Sequence, residues 1–466
     1  MLNQVSEKEV NIQRVKAFAE NPALHLVAPC KLGEGILRLT DTQKSSYENR
    51  FENWRGCVTY FVPASGSGSR MFQFLYEFLT DPTEENRAQV ERFLNSIEDF
   101  AFFRKIPQAI QQEIQQGAWS LEDTVAYLLS EHGLNFGGLP KGLIPFHVTE
   151  PFILNPFQEQ VLQLSQLKQV QSQFHFTVQR EFESTIKQEI QHLSGMTGQA
   201  YEVTCSTQDP ATNSIAFTLD QEMAFEDDRP ITRPAGHGAL LSNLNAMHDE
   251  LIVIKNIDNL QHYKKSAKSA RVIARLSGIL LEVKEELVAL YEHPNLEQLH
   301  VFNNKYQLYA ASQLERCTDE HTIRELLNRP VRVCGMVKNI GQPGGGPFWV
   351  EEDGIVTKQI VEKAQIGKGK DQSRLMVQST HFNPVLIVLS PFDIAGQKFD
   401  LMKFADPSKY FIVEKDQGGQ RIRFIEQPGL WNGGMANWNT LFVEIPSSVF
   451  SPVKTVLDLL DDAHRE

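Results

Sequence analysis

Strand and helix signals alternate over most of this 466-residue chain. That alternation predicts an α/β fold, a mostly parallel sheet with helices on both faces. A second observation is the apolar segment Val58–Val62, which runs straight into the loop Pro63-Ala64-Ser65-Gly66-Ser67-Gly68-Ser69-Arg70-Met71. A glycine-rich turn at the carboxyl end of a strand is where sheets of this kind bind ligands. Length is the third, because a chain this long buries a large core and allows about three domains.

The elements follow in order. Residues 1–55 read as a helical N-terminal extension, with helices at Glu7–Phe18 and Thr42–Trp54 around the turn-prone Pro29–Gly35. Residues 56–466 read as the α/β domain, interrupted at 72–135 by a helical insertion. There Asp81 reads as an N-cap with Pro82 at the first helical position, and Val90, Phe93, Leu94 and Ile97 repeat at helical spacing. Ser120 caps a second helix carrying Val125, Leu128 and Leu129. An insertion beside a loop serves as a lid or partner surface, or it packs as plain decoration. Further strands are expected at Phe174–Val178, Tyr201–Cys205, Leu251–Ile257, Val331–Val337, Val385–Leu389 and Leu441–Ile445. Helices are expected at Glu181–Leu193 and Ala267–Leu290.

Composition excludes several classes. The 45 basic and 58 acidic residues give a net charge of −13, which argues against a nucleic-acid or anionic-membrane surface. Five scattered cysteines without a Cys-x-x-Cys pair fit reduced thiols, neither a disulfide framework nor a zinc site. The N-terminus is polar and unlike a signal peptide. No apolar run approaches the ~20 residues of a membrane span, so a cytoplasmic protein is expected.

In the loop, Gly66 and Gly68 free the backbone to turn and bring amide N–H groups of Ala64, Ser65 and Ser69 toward an anion. Arg70 adds a guanidinium fork that matches phosphate oxygens. No Gly-Lys-Ser/Thr follows, so this is no P-loop, and the spacing is not that of a dinucleotide fingerprint. A plain strand-to-helix turn fits the same residues.

The loop resembles the signature of sugar-phosphate nucleotidyltransferases, Leu-Ala-Gly-Gly-x-Gly-Thr-Arg-Leu. Four more segments, in the same order, resemble the UDP-N-acetylhexosamine pyrophosphorylase branch of that family. They are Leu139-Pro140-Lys141-Gly142-Leu143, Arg233–Leu240 with its Gly236-His237-Gly238, Ile254–Asn259 with Asp258, and Phe450-Ser451-Pro452-Val453-Lys454-Thr455. The chain also looks like an uncharacterised bacterial family carrying a domain-of-unknown-function label, which supplies no activity. The first resemblance implies a Rossmann-like, GT-A-like nucleotide-diphospho-sugar transferase fold. The activity it implies joins a nucleoside triphosphate, UTP in that branch, to a sugar 1-phosphate with release of pyrophosphate.

That chemistry needs alignment and charge neutralisation rather than a general base. The resemblance implies Arg70, Lys141 and Lys454 as the phosphate-handling cations, with Lys255 and Lys338 in reserve. It implies Asp258 as the ligand of a magnesium ion; a turn former or helix cap is the other reading of an Asp after a strand. Asn383 or His381 in His381-Phe382-Asn383-Pro384 could add a second ligand, or Asn383 could form an Asx-turn before the proline. Gln208 and the Gly236–Gly238 turn would read the base, with His237 replacing the family's asparagine; a helix-entry turn is compatible with this. Two Gly- and Trp-rich loops, one holding Gly345 and the other Trp431 and Asn432, look like sugar-side elements. A surface loop and a packed aromatic corner are their alternatives. Pro63 and Ser65 replace a leucine and a glycine of the family pattern. A nucleotide-sugar sensor on the same fold is the rival class. Glycosyl transfer is disfavoured by the lack of an Asp-x-Asp motif. Gly68, Lys141, Gly238, Asp258 and Lys454 are expected to line one cleft.

Overall fold

The glycine-rich loop follows the strand Cys57–Pro63, in a computed structural model that describes residues 6–66, 68–167, 171–341, 345–417 and 419–466. The chain divides into two compact units, neither continuous in sequence. The smaller comprises 57–207, 254–274 and 446–466; the larger comprises 1–56, 208–253 and 275–445.

In the smaller unit Cys57–Pro63 runs parallel to Gln171–Thr177, which runs parallel to Glu202–Ser206. Val58, Tyr60, Phe61 and Val62 are all buried, as strands covered on both faces require. The helix Glu183–Thr197 connects the second and third strands and stops at Gly198, a left-handed cap at φ 67°.

The insertion is helical as expected, with helices Gln73–Thr80, Glu84–Asn95, Gln108–Gln115 and Leu121–Leu129. Ser120 caps the last of these by accepting from the Asp123 N–H. The second starts later than expected. Thr83, not Asp81, is its N-cap, because Thr83 and Asn86 exchange side-chain-to-backbone bonds in a capping box. Asp81 instead closes the preceding helix. The insertion buries Phe72, Val90, Phe93, Phe102 and Leu128 in one core with Ile144, Phe146, Leu260, Val453 and Val456. It is therefore a packed wall against the segments that carry Lys141, Asp258 and Lys454.

In the larger unit the strands Lys31–Leu32, Gly35–Leu37, Asn439–Glu444 and Val331–Lys338 pair in that order, all parallel. Leu386–Ser390 then joins Val331–Lys338 antiparallel. His25–Pro29, Gly346–Glu352 and Ile355–Val361 form a separate antiparallel sheet. Phe411–Gln417 and Gln420–Glu426 form a further hairpin. The fold is thus mixed α/β. Of the expected extension, the helices Glu7–Ala17 and Asp41–Asn53 form, but residues 25–37 between them are strands rather than a simple turn. No helix among the described residues is long and apolar enough to cross a membrane.

Candidate functional site

The loop after Pro63 is held from beneath. The Ala64 N–H donates to the Thr177 carbonyl at 3.0 Å, and the Gln179 side chain donates to the Ser65 carbonyl at 3.2 Å. The Gly68 N–H donates to the Leu139 carbonyl at 3.3 Å, and a Cβ at Gly68 would lie 3.1 Å from that oxygen. Here the structure corrects the expectation that the Ala64 amide faces an anion: it is spent inside the protein, and so is the Gly68 amide. Gly68 is small so that the loop can lie against 139–144. Gly66 is exposed and a side chain there would meet open space. Ser69 and Arg70 begin a short 3-10 turn, and both are exposed.

That packing brings the loop to Lys141, which opens the turn Lys141–Leu143 after Pro140. Gly142 follows Lys141 in that turn. Its missing side chain leaves room for Phe157, since a Cβ would fall 2.4 Å from that ring. The Lys141 Nζ donates to Asp258 Oδ2 at 2.9 Å, with the two side chains 14% and 15% exposed. Burial pulls the Lys141 pKa below its usual range, and Asp258 opposes the shift. The Lys454 Nζ stands 4.0 Å from the same Asp258 oxygen and is well exposed.

Asp258 lies three residues beyond the strand Leu251–Lys255. Its carbonyl accepts from the Val453 N–H at 3.0 Å, and the Asn259 side chain accepts from the Ser451 N–H at 3.0 Å. These bonds knit the Ile254–Asn259 and Phe450–Thr455 motifs together. Gly68, Lys141, Asp258 and Lys454 are thus neighbours within the smaller unit. Two ammonium groups share the Asp258 carboxylate, and a second carboxylate, Asp458, accepts from the Lys454 N–H at 2.6 Å and acts on Lys141 as well, so two cations and two carboxylates gather here.

The donor set can be weighed against the expected magnesium ion. Among the described residues no three His, Cys, Asp or Glu side chains converge on a metal position. One carboxylate flanked by two lysines would not cage a bare dication. It would suit a magnesium ion that took its remaining ligands from phosphate oxygens and water, with Asp258 as the anchor among the described residues. Asn383, the expected second ligand, belongs to the larger unit. Its Oδ1 accepts from the Val385 N–H at 3.1 Å, so the Asx-turn is what forms. His381 is engaged with Thr380 Oγ1 at 2.8 Å. Lys255 is buried and its pKa is pushed down to about 8 by burial. Lys338 is exposed at the end of its strand.

Sequence reasoning missed the support beneath Asp258. The helix Pro156–Leu164 is buried along nearly its whole length, yet it carries Gln158, Glu159, Gln160 and Gln163, none more than 2% exposed. The Gln160 amide donates to the carbonyls of Asn256 at 2.9 Å and Ile257 at 3.4 Å. The Gln163 amide donates to Gln261 O at 2.6 Å and to Glu159 Oε2 at 3.0 Å. Glu159 Oε1 meets His147 Nδ1 at 3.0 Å, and His147 Nε2 meets His464 Nδ1 at 3.0 Å. The one signal available was Asn155-Pro156 followed by Gln158, a capped helix start.

The larger unit holds its own cluster. Gly236, at φ 70°, leads into the 3-10 turn His237–Leu240 and the helix Leu241–Asn245, the helix-entry turn foreseen as compatible. A Cβ on Gly238 would fall 2.2 Å from the Pro428 carbonyl, so close backbone packing demands that glycine. His237 stacks on Trp431 with ring centroids 4.1 Å apart and accepts from the Leu430 N–H at 3.0 Å. One face of Trp431 is therefore covered. Asn432 is buried, donates to the Ile360 carbonyl at 2.8 Å, and finds no partner for its Oδ1 among the described residues. The packed-corner alternative describes these two residues best. Gly345 is buried, and its carbonyl accepts from the Asn383 N–H at 2.8 Å; Gln342, Pro343 and Gly344 of the same loop lie outside the described residues. The Gln208 side chain donates weakly to Thr212 Oγ1 at 3.4 Å. Glu362 and Glu426, both missed from sequence, flank this cluster, and burial raises both carboxyl pKa values.

Fold and site together define a mixed α/β protein with a lysine–aspartate–lysine cluster beside a glycine-rich loop. Over residues 1–465 the chain matches the family model described as Domain of unknown function (DUF4301), and it belongs to that family. No curated protein matches it. Among solved structures it is similar to the UDP-N-acetylglucosamine pyrophosphorylase of Trypanosoma brucei bound to an inhibitor. That pair shares 10% identity at a TM-score of 0.49, over 97% of this chain and 74% of the other. An Entamoeba histolytica protein assigned as a UDP-N-acetylglucosamine pyrophosphorylase gives 12% identity and TM-score 0.48, over 94% and 84% of the two chains. A UDP-glucose phosphorylase of Trypanosoma brucei gives 13% and 0.45, over 98% and 76%.

Proposed function

We infer that the smaller unit binds the polyphosphate of a nucleoside triphosphate and transfers its nucleotidyl group to a sugar 1-phosphate. The observation that carries this reading is the meeting of Lys141, Asp258 and Lys454 beside the Ser65–Arg70 loop. The five motifs in family order support it, and UTP is the nucleotide they imply. An anionic phosphate oxygen of the sugar 1-phosphate forms a bond to the α-phosphorus, and the bond from that phosphorus to the β-phosphate bridging oxygen breaks. Pyrophosphate leaves with the electron pair, and no proton need move. Lys141 and Lys454 hold and neutralise phosphate oxygens, while Arg70 reaches them from the loop. Magnesium, when bound, would supply further charge neutralisation, anchored by Asp258.

The sensor reading has one observation in its favour: the Ala64 and Gly68 amides are already occupied, which leaves fewer donors for a developing charge. A screen of nucleoside triphosphates against sugar 1-phosphates, read by pyrophosphate release with magnesium, separates the two. Release with any pair supports transfer. Nucleotide-sugar binding without release in any combination would favour the sensor.

A further inference from the structure

A helix with no exposed face is normally apolar all round, yet Pro156–Leu164 places Gln160 and Gln163 at 0% and 2% exposure. The Oε1 of each has no hydrogen-bond partner among the described residues. Leaving a buried acceptor unpaired is unfavourable, so an apolar side chain of similar volume would serve packing better. What both residues gain lies on the other side of the amide. Their N–H groups hold the carbonyls of Asn256, Ile257 and Gln261, the backbone on either side of Asp258. Flipping either amide would turn an oxygen toward those carbonyls, so the orientation is fixed by the segment itself.

The other end of the arrangement is fixed from the same helix. Glu159 accepts from Gln163 and binds His147, which binds His464. His464 and Lys454 share the segment 446–466. Gln158 is the internal contrast: it is equally buried, but its amide donates to Glu189 on the helix Glu183–Thr197, away from the Asp258 segment.

We propose that Gln160 and Gln163 are positioning residues that set where Asp258 stands relative to Lys141 and Lys454. This rests on the nucleotidyl-transfer reading for its kinetic consequence and on geometry alone for its structural one. A displacement of the order of 1 Å in a reacting constellation costs about a hundredfold in rate. The test compares Gln160→Met and Gln163→Met with Gln158→Met, three substitutions of like size on one buried helix. Two measurements are made well below every melting midpoint: backbone amide exchange at Val453 and Ser451, whose N–H groups bond Asp258 O and Asn259 Oδ1, and turnover with nucleotide affinity. Exchange at both amides should rise at least tenfold in the Gln160 and Gln163 variants and stay as in the unaltered protein in Gln158→Met. Turnover should fall about tenfold to a hundredfold in the first two, with affinity within about threefold. Equal exchange in all three variants would overturn the positioning role, because a merely structural role makes the three alike. Selective exchange in a protein that transfers nothing would leave the positioning role standing and remove the transfer reading alone.

Discussion

Asp258 answers to two lysines of unequal standing. Lys141 is nearly buried and bonded at 2.9 Å, whereas Lys454 is exposed at 4.0 Å. Under the transfer reading proposed above, Lys454 and the exposed Arg70 would be free to follow a phosphate. Both should therefore act more on the transition state than on the bound nucleotide. Arg70→Ala and Lys454→Ala should lower turnover about a hundred- to a thousandfold, with much smaller losses of nucleotide affinity by calorimetry. Equal losses in turnover and affinity would remove both residues from the chemical step. Gly142 makes a different prediction at the same scale. With a Cβ only 2.4 Å from Phe157, Gly142→Ala should cost about 1–3 kcal/mol in stability. An unchanged melting midpoint would show that the turn has room to spare.

Among the elements, the buried helix Pro156–Leu164 and the tail packed near it make stability depend on pH. Lys255, close enough to Glu159 to feel its charge, has its pKa lowered from 10.5 to about 8 by burial. Between about pH 8 and 10.5 the unfolded chain keeps a proton that the folded one has released, so stability from this group rises with pH across that window. Lys255→Met should abolish that part of the slope in melting scans; an identical slope would refute the assignment. His464 faces His147, His262 and Lys265, and burial followed by those charges lowers its pKa from 6.5 to about 3. Its contribution is intact above about pH 6.5 and is lost as the pH falls toward 3, because the unfolded chain then takes up the proton first. The slope of melting midpoint against pH in that window should flatten in His464→Gln. The same elements mark what the sequence disclosed. Ser120 as a cap and Val58–Val62 as a strand rest on local chemistry, and both form as read. So does the order of motifs that brings Lys141, Asp258 and Lys454 together. Gln160 and Glu159 escaped because polar residues read as a solvated face until tertiary packing buries them. Thr83 displaced Asp81 because a reciprocal capping box outweighs a lone acceptor before proline. Residues 25–37 hold strands too short for a period of two to register.

Across the whole chain, each unit is assembled from three stretches of sequence. A fragment spanning 57–207 would lack Leu260, Val453, Val456 and Leu459, which close the core of the insertion. It should be unable to fold cooperatively, whereas the full chain melts with it intact; a sharp thermal transition in that fragment would contradict this. The same interleaving has a consequence in time. On a ribosome adding about 5–20 residues per second, the stretch from Asp258 to Lys454 takes about 10 to 40 s to synthesise. Throughout that interval Lys141 and Asp258 are already synthesised, but Val453 has not arrived to tie down the Asp258 carbonyl. A nascent chain therefore lacks the finished lysine–aspartate cluster, which matures in one late event, when the last motif docks.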